Sequence, residues 1–354
     1  MITSIKSNSD ISKPNQSKSN KKLDKHYYIN QHKPIANIVA ITYTFSAYIC
    51  GVILLFVSNP VLNIAGVLLI AHGLACSAYL THEFMHGTIF KSRRWNSFFG
   101  NIMLWLNGGC YNGYQALTLQ HIAHHIDRVD VFTFDPVSKL QELPSIVRQI
   151  IFILEWLYFP IMGFWSRWHS VFSPFWNPKR AKDKTRVIAI LLLRMGMFIL
   201  VGAISFKALL LYFIAYIGMI TVLRWADAFQ HTYEGFAPGM KLPKRDRAHE
   251  EAHTYSTLLS RRYSWLNLLL LNFGYHNAHH TLMKCPWHSL PELNQEIEQP
   301  SGVRYVSLKQ QLIHYHRFRL TRFILGQGES VNENKQPTFA KFYGAHDVSF
   351  LFLY

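Results

Sequence analysis

Residues 61–86 read VLNIAGVLLIAHGLACSAYLTHEFMH, so an uncharged apolar run leads directly into a histidine motif. The apolar part, up to Thr81, is long enough to cross a bilayer core, which takes about 20 residues of helix. His82 and His86 follow at a spacing of four, which places both rings on one face of a continuing helix. This stretch therefore predicts a membrane helix that extends beyond the bilayer and ends in two metal-ligating side chains.

Three more apolar runs lie at 35–57, 187–205 and 209–223, and Arg194 is the one charged residue within them. Turn residues at 58–60 and the short link 205–207 join the runs in pairs. We therefore predict an all-α membrane protein with four transmembrane helices in two hairpins, and with a cytoplasmic helical cap that holds the histidines. Two other apolar stretches, 98–111 and 146–165, are short or interrupted. We expect them to form helices in the membrane interface.

The composition agrees with a membrane protein and excludes several other classes. Of 354 residues, 49% are hydrophobic and only 16% are charged, whereas soluble domains have about 25% charged residues. A chain this apolar is not disordered as a whole. Four cysteines in this length cannot form a disulfide scaffold.

The lysines and arginines, which give a net charge of +16, predict the orientation of the spans. Seven lysines lie within residues 1–34 and twelve lysines and arginines within 82–186, whereas the two hairpin tips carry one lysine. The positive-inside rule then places both termini, the long loops and the histidine motifs on the cytoplasmic side. No basic and aromatic module stands apart from this pattern, so we expect no nucleic-acid partner.

The composition also divides the chain into three parts. Residues 1–34 are polar and rich in Lys, Ser and Asn, and we expect them to form a disordered basic cytoplasmic tail. Residues 35–295 contain the spans and the histidine motifs, and form the membrane domain. Residues 296–354 form a C-terminal cytoplasmic extension, in which the part after about Gly326 carries no functional signal.

Histidines are concentrated in three motifs outside the predicted spans, which read HEFMH at 82–86, HIAHH at 121–125 and HNAHH at 276–280. Their spacings of three and four let each motif present its rings on one face of a helix. His231 follows the fourth span, four residues after Asp227. Imidazole suits Fe, Zn, Cu and Ni, and this many rings exceed the needs of one ion, so we predict two metal ions. The candidate ligands are His82, His86, His121, His124, His125, His231, His276, His279 and His280.

Carboxylates near the motifs are candidates for orienting the imidazoles, because a ligating histidine usually donates its second ring N–H to an acceptor. The candidates are Glu83, Asp127, Asp130, Asp135, Asp227, Glu234, Glu250 and Glu251. Glu83 and Asp227 are also candidates for contact with the metal. His72, inside the second span, could line a substrate tunnel or hydrogen-bond to a neighbouring helix. No catalytic residue is predicted beyond the metal ligands.

Together these motifs resemble the three histidine boxes of the integral-membrane fatty acid desaturase/hydroxylase superfamily. The stretch LNFGYHNAHHTLMKCPWHSLPEL at 271–293 is similar to the third-box region as a whole, and Asp135-Pro136 lies where the family often has this pair. The resemblance runs from about residue 36 to about residue 295, and the three boxes together are a specific signal.

The resemblance implies a centre of two iron ions, held mainly by histidine, that activates O2 and abstracts hydrogen from an acyl C–H bond. The box histidines carry over to the eight rings of the three motifs, and the family's extra histidine after the fourth span carries over to His231. Asp227 stands where acyl-CoA desaturases have an asparagine. Direct ligation, ligation through a water molecule and an orienting role therefore all stay open for it.

The resemblance also implies a fatty acyl substrate in the membrane and a separate electron-donor protein of the ferredoxin or cytochrome type. The sequence contains no haem-binding HPGG motif, no cysteine run for an iron–sulfur cluster and no GxGxxG nucleotide motif. The basic cytoplasmic face suits an acidic donor. The oligomeric state is left open.

The expected reaction is desaturation, the introduction of a double bond into a lipid acyl chain. Hydroxylation, or oxidative decarboxylation to a terminal alkene, remains an alternative at the same site because the outcome depends on small differences in the position of the chain. A metal-binding membrane transporter is a remote alternative. Transporters place their ligands near the bilayer midplane, whereas these motifs lie outside the predicted spans.

Overall fold

Helices make up most of the chain that the computed structural model describes, which is residues 23–131, 135–237, 239–301, 304–328, 339–345 and 351. In chain order they are α1 (Lys25–Ile29), α2 (Pro34–Phe56), α3 (Pro60–His86), α4 (Arg93–Asn107), α5 (Tyr114–Asp127), α6 (Pro136–Glu142), α7 (Ser145–Trp156), α8 (Ile161–Phe172), α9 (Lys184–Ile204), α10 (Phe206–Asp227), α11 (Arg247–His253), α12 (His276–Thr281), α13 (Leu290–Ser301), α14 (Leu308–Arg317) and α15 (Thr321–Leu325). Short 3-10 turns lie at Gly109–Tyr111, Ser173–Phe175, Pro178–Asp183, Ser264–Leu270 and Trp287–Ser289. Two short strands, β1 (Asp130–Val131) and β2 (Gly235–Phe236), pair in parallel.

Four of these helices, α2, α3, α9 and α10, are long and apolar enough to cross a membrane. They confirm the four predicted spans, with ends that differ by a few residues from the apolar runs. Each hairpin tip carries a helix cap. The Asn59 side chain accepts a hydrogen bond from the backbone N–H of Val61 at 2.9 Å, and the Ser205 hydroxyl accepts one from Ala208 at 3.1 Å. These caps satisfy N–H groups that begin a helix without a partner.

The first hairpin is closely packed because two glycines face each other. A Cβ atom on Gly66 would lie 2.8 Å from the carbonyl oxygen of Gly51, and one on Gly51 would lie 2.7 Å from the Ile70 side chain. Small residues permit this approach of two helix backbones in a membrane. Helix α3 is the central element, since it packs against α2, α4 and α10.

Helix α3 runs without a break from the membrane into the histidine region. It ends at His86, and Gly87 follows in the left-handed conformation with φ of +71°, which glycine adopts without steric cost. Helix α10 likewise extends past the apolar run that ends at 223 and reaches Asp227. The first box is therefore an extension of the second span, as the sequence predicts.

The stretch 146–165 forms two helices, α7 and α8, which meet at an angle of 111°. Tyr158 lies at the bend with φ of +66°, and Pro160, which cannot continue a helix, precedes α8. The buried carboxylate of Glu155 secures this corner. It accepts the backbone N–H of Met162 at 2.8 Å and pairs with the guanidinium of Arg224, on α10, at 3.2 Å. This bend distinguishes the stretch from the four straight spans.

The N-terminal segment differs in part from the expected disordered tail. Residues 1–22 of the predicted tail lie outside the described residues. From Lys25 to Ile29 the chain forms α1, and Tyr28 is fully buried in a cluster with Cys285, Leu290 and Leu293. An aromatic ring and an N-terminal cap by Asp24 are enough to dock this short helix.

The described part of the C-terminal segment packs behind the histidine region. The backbone N–H of Ser256 donates to the carbonyl of Arg304 at 2.8 Å, and Val306 donates to Ser256 at 3.0 Å. Phe342 is buried in a cluster with Phe229 and Tyr255. Phe229 lies two residues before His231, so this cluster supports the chain that follows α10.

Candidate metal centre

The nine candidate ligands meet where several elements end. His82 and His86 lie at the C-terminal end of α3, the second box lies in α5 and the third box forms most of α12. His231 lies four residues past α10, in a bridge with Thr254. Two-residue pairing of β1 with β2 ties the segment after α5 to the segment after His231. Four parts of the chain that are distant in sequence are thereby held at one place.

The ligands separate into two groups in space. In the first group, one ring nitrogen from each of five histidines lies within 4.8 Å of all the others, and these are His82, His86, His121, His125 and His279. The second group meets the same criterion and contains His124, His231 and His280. His276 adjoins the second group, because its Nε2 lies 2.7 Å from Nε2 of His231. The boxes do not correspond to the groups, since the second and third boxes each contribute to both.

Within each group, ring nitrogens lie close to one another. In the first group, Nε2 of His86 lies 2.8 Å from Nε2 of His121, and Nε2 of His125 and His279 are 3.1 Å apart. A pair of neutral imidazoles satisfies such a contact only when one of them carries its proton there. A cation between the lone pairs would satisfy every ring in the group at once. The donor set thus fits a borderline-soft transition metal in both groups.

The surroundings of the two ring nitrogens of His280 indicate that this residue is a metal ligand. Its Nδ1 lies 3.1 Å from Oε1 of Glu250, which directs the other nitrogen toward the group. That Nε2 is buried and has no hydrogen-bond partner within the part of the chain that the structure describes. A buried nitrogen without a partner is rare in a folded protein. Its position beside His124 and His231 points to a metal ion as the missing partner.

Three candidate carboxylates lie within hydrogen-bond distance of ring nitrogens of the boxes. Glu83 Oε1 lies 3.2 Å from Nδ1 of His82, and Asp130 Oδ1 lies 2.8 Å from Nδ1 of His124. The third is Glu250, on His280. These contacts are of the kind that fixes the tautomer and direction of a ligating imidazole. The other oxygen of Glu83 accepts hydrogen bonds from the Thr88 hydroxyl at 2.7 Å and from the Trp287 backbone N–H at 3.2 Å.

Three other acids have different roles. Asp135 caps α6 through the backbone N–H of Val137 at 3.0 Å. Glu234 and Glu251 form ion pairs with Arg245 and Arg247. Asp227 is buried at the end of α10, and its carboxylate belongs to neither of the two histidine groups among the described residues. Sequence proximity to a box was therefore not enough to identify the orienting acids.

Burial favours the neutral form of four candidate ligands outside the spans, His125, His231, His279 and His280. Desolvation is the largest cause that lowers the pKa of His125, His231 and His280 well below the ordinary value, and neighbouring imidazoles add to it. The pKa of His279 falls to about 3 for the same reason. A neutral imidazole offers the lone pair that metal binding requires.

Two residues near the centre were missed by the sequence analysis. Arg128, the residue after α5 with φ of +57°, donates from Nε to Oε2 of Glu250 at 3.1 Å and so holds the acid that orients His280. The ring of Tyr233 stacks on His231 at 4.2 Å between centroids. Both residues closely follow a candidate ligand in sequence, and that proximity is the signal that could have identified them.

His72 lies apart from both groups. Its Nδ1 contacts the hydroxyl of Tyr43 on α2 at 2.5 Å, and its Nε2 lies 2.9 Å from the carbonyl oxygen of Leu269. Of the two interpretations of this residue, hydrogen bonding to neighbouring elements agrees with these contacts.

Comparison with known proteins gives one finding that bears on this centre. No individually curated protein matches the chain. The family model for fatty acid desaturase matches residues 59–310, a range that contains all nine candidate ligands and three of the four spans, α3, α9 and α10. With four helices that can cross a membrane and with a match over most of its length, the chain is an integral membrane protein that belongs to the fatty acid desaturase family.

Proposed function

We propose that the protein is an O2-dependent fatty acyl desaturase that uses two iron ions to introduce a double bond into a lipid acyl chain. The observation that carries the proposal is the convergence of eight histidines in two groups, with His276 adjacent to the second, at the end of a membrane-spanning helix. Membership of the fatty acid desaturase family supports a desaturase- or hydroxylase-type oxidoreductase. The proposal adds the metal, the oxidant and the reaction.

The two groups would hold one iron each. The first iron would be bound by the five-histidine group, and the second by His124, His231 and His280 with His276 adjacent. When bound, the pair would supply the activation of O2 that cleavage of an unactivated C–H bond needs. Glu83, Asp130 and Glu250 would hold three of the rings in the required direction. Asp227 is not among the proposed iron ligands, because its carboxylate lies outside both groups.

The surroundings of the centre are suited to a reaction from which water must be excluded. The ring of Phe273 packs edge-on against His82 at 5.0 Å between centroids and lies 4.5 Å from the ring of Tyr79. Both aromatic residues are buried. An apolar wall on the membrane side of His82 admits a hydrocarbon chain more readily than water.

The overall reaction requires a partner that supplies electrons. Removal of two hydrogen atoms from the acyl chain provides two electrons and two protons, a donor provides two more electrons, the solvent provides two more protons, and O2 is reduced to two water molecules. We propose a separate acidic protein of the ferredoxin or cytochrome type as the donor, docking on the cytoplasmic side. The net charge of +16 favours association with an acidic surface.

Lipid analysis of a host that expresses the protein tests the reaction. The expected product is a new unsaturated acyl chain, which is absent from cells expressing His279→Ala and present with the control His288→Ala. His288 lies outside both groups and contacts the neighbouring Ser289 hydroxyl at 3.0 Å. Detection of a hydroxy acid would indicate hydroxylation instead of desaturation. Detection of an alkene one carbon shorter would indicate oxidative decarboxylation. An identical lipid profile for the wild type and His279→Ala would contradict all three.

The metal is tested on the purified protein. We expect two iron ions per chain, and loss of iron in His279→Ala without loss of the helical circular-dichroism signal. Full activity of a protein that contains stoichiometric zinc and no iron would contradict the proposal, because zinc has no redox chemistry.

A further inference from the structure

A cavity of about 380 Å³ lies within the membrane-spanning part of the molecule, between α8, α9, α10 and the turn after α4. Its walls are mainly aromatic, and they include Tyr111, Phe164, Arg167, Arg194, Tyr212 and Tyr216. Two guanidinium groups therefore face an otherwise apolar space. No aspartate or glutamate is among the described residues that line it.

Arg194 is the unusual member of this wall, since it lies ten residues into the span α9. An arginine within a span is costly to insert, and such residues commonly have a function. Its Nη1 donates to the carbonyl of Trp105 at 3.0 Å and lies 3.6 Å from the thiol of Cys110. A guanidinium has five N–H donors in a planar fork, so contacts made by one nitrogen leave capacity for a bidentate acceptor.

Arg167 is held at the opposite wall of the cavity. It donates from Nη2 to the carbonyl oxygen of Asn107 at 3.3 Å and from Nη1 to the hydroxyl of Tyr216. Gly108 makes room for it, because a Cβ atom there would lie 2.7 Å from Nη2. The arginine is 7% exposed, so its position is determined by the packing around it.

A second cavity of about 120 Å³ continues from the first toward the hairpin tips. The two cavities share Arg194, Phe198 and Tyr212, and the second is lined beyond them by apolar residues such as Val52 and Val201. A charged group at Arg194 would therefore have hydrocarbon-lined space on both sides. This combination matches an amphiphile with a small anionic head and one narrow chain.

We propose that the cavity binds the carboxylate of a single-chain fatty acid between Arg194 and Arg167, with the chain lying along the second cavity. The fork of an arginine matches a carboxylate bidentately. A space of this size, at the lower end of the range for small-ligand sites, suits a single chain better than the head group and two chains of a phospholipid. The site is separate from the metal centre. Tyr216 lies eleven residues before Asp227 on α10, about 16 Å along the helix axis.

Photolabelling of the purified metal-containing protein tests this assignment. The probe is a palmitate analogue with a diazirine on its chain, added to the full chain in phosphatidylcholine nanodiscs, and labelled peptides are mapped by mass spectrometry. We expect labelling of α9 and α10 around the cavity. Arg194→Gln should reduce that labelling at least about tenfold, as the loss of a charge-assisted hydrogen bond predicts.

Arg186→Gln is the matched control. Arg186 lies on the same helix and donates to the carbonyl of Cys110 at 2.7 Å, but it does not line the cavity. We expect its labelling to stay within about twofold of the wild type, because the cavity and its two guanidinium groups are retained. Ile217→Trp, which fills the cavity without altering either arginine, should abolish the labelling.

Three results would overturn the assignment. They are equal labelling of the wild type and Arg194→Gln, competition by hexadecanol as strong as by palmitate, and competition by phosphatidylglycerol in place of palmitate. Peptides that contain the histidine boxes are counted separately. A failure of the proposed desaturase reaction is therefore distinguishable from a failure of this site.

Discussion

Single side chains hold the candidate ligands in place, and Glu250 illustrates how. One oxygen contacts Nδ1 of His280, and the other accepts a hydrogen bond from Arg128. Burial raises the pKa of this carboxyl, while the hydrogen bond and charge of Arg128 oppose that rise. The arginine thus helps to keep the acid in the ionised form that orients an imidazole most strongly.

Removal of this acid should weaken the second metal site. We expect Glu250→Ala to reduce metal affinity about 10–100-fold, the usual effect of losing a group that orients a ligand. Metal content after dialysis against a graded series of chelator concentrations measures the change. Glu251→Ala is the control, because Glu251 is exposed and pairs with Arg247. Equal loss of metal in both variants would contradict the orienting role.

Among the helices, α3 has the greatest influence on the site because it joins the first hairpin to the first histidine box. Its apolar section packs against α2 and α10, and its C-terminal end carries His82 and His86. A shift of this helix would move two ligands of the five-histidine group together. The packing of the hairpin therefore contributes to the geometry of the centre.

Gly66→Ala should destabilise the protein by about 1–3 kcal/mol, as overpacking of a tight contact does. The added Cβ would lie 2.8 Å from a backbone oxygen and 2.9 Å from the Leu54 Cβ, and neither atom can move freely. Gly196→Ala is the control, since no atom lies within 4 Å of its Cβ position. The melting temperature of the detergent-solubilised protein measures both. A drop for Gly196→Ala as large as that for Gly66→Ala would rule out the packing explanation.

The bend between α7 and α8 depends on a buried ion pair. Glu155 and Arg224 have side chains that are both 5% exposed. Glu155→Ala should cost about 3–5 kcal/mol, because it leaves a buried guanidinium without this partner. Glu142→Ala removes an exposed partner of Lys139 and should change stability by less than about 0.5 kcal/mol. Unfolding of each variant in denaturant gives the comparison, and similar midpoints would contradict the prediction.

For the molecule as a whole, the distribution of charge predicts its orientation in the membrane. The hairpin tips at 58–60 and 205–207 carry one lysine, whereas residues 82–186, which contain two of the histidine boxes, carry twelve lysines and arginines. Cys50 is the exposed cysteine among the described residues and is first replaced by serine. In that protein, the variant Ser58→Cys should react with an impermeant maleimide on intact cells. Lys309→Cys, at an exposed position on α14, should react only after permeabilisation. The reverse pattern would invert the proposed orientation.

The four-span architecture and the set of histidines in the candidate centre were both predicted from sequence. Each of the four spans was recognisable from a long run of mainly apolar residues, which is a local property. All nine predicted ligands lie in the two groups or, for His276, beside one of them. The docking of α1 through Tyr28 was missed, because a single aromatic residue in a polar segment gives no periodic signal.

Sequence alone determined the spans, the histidine boxes and the side of each helix on which the rings lie, because hydropathy and helical spacing act over neighbouring residues. The folded structure decided which rings meet. It divides the second box between the two groups, it brings Glu83, Asp130 and Glu250 into contact with box histidines, and it places Arg194 and Arg167 in the wall of one cavity. These choices depend on the angles and distances between elements far apart in the chain, and the spacing of residues along the sequence does not specify them.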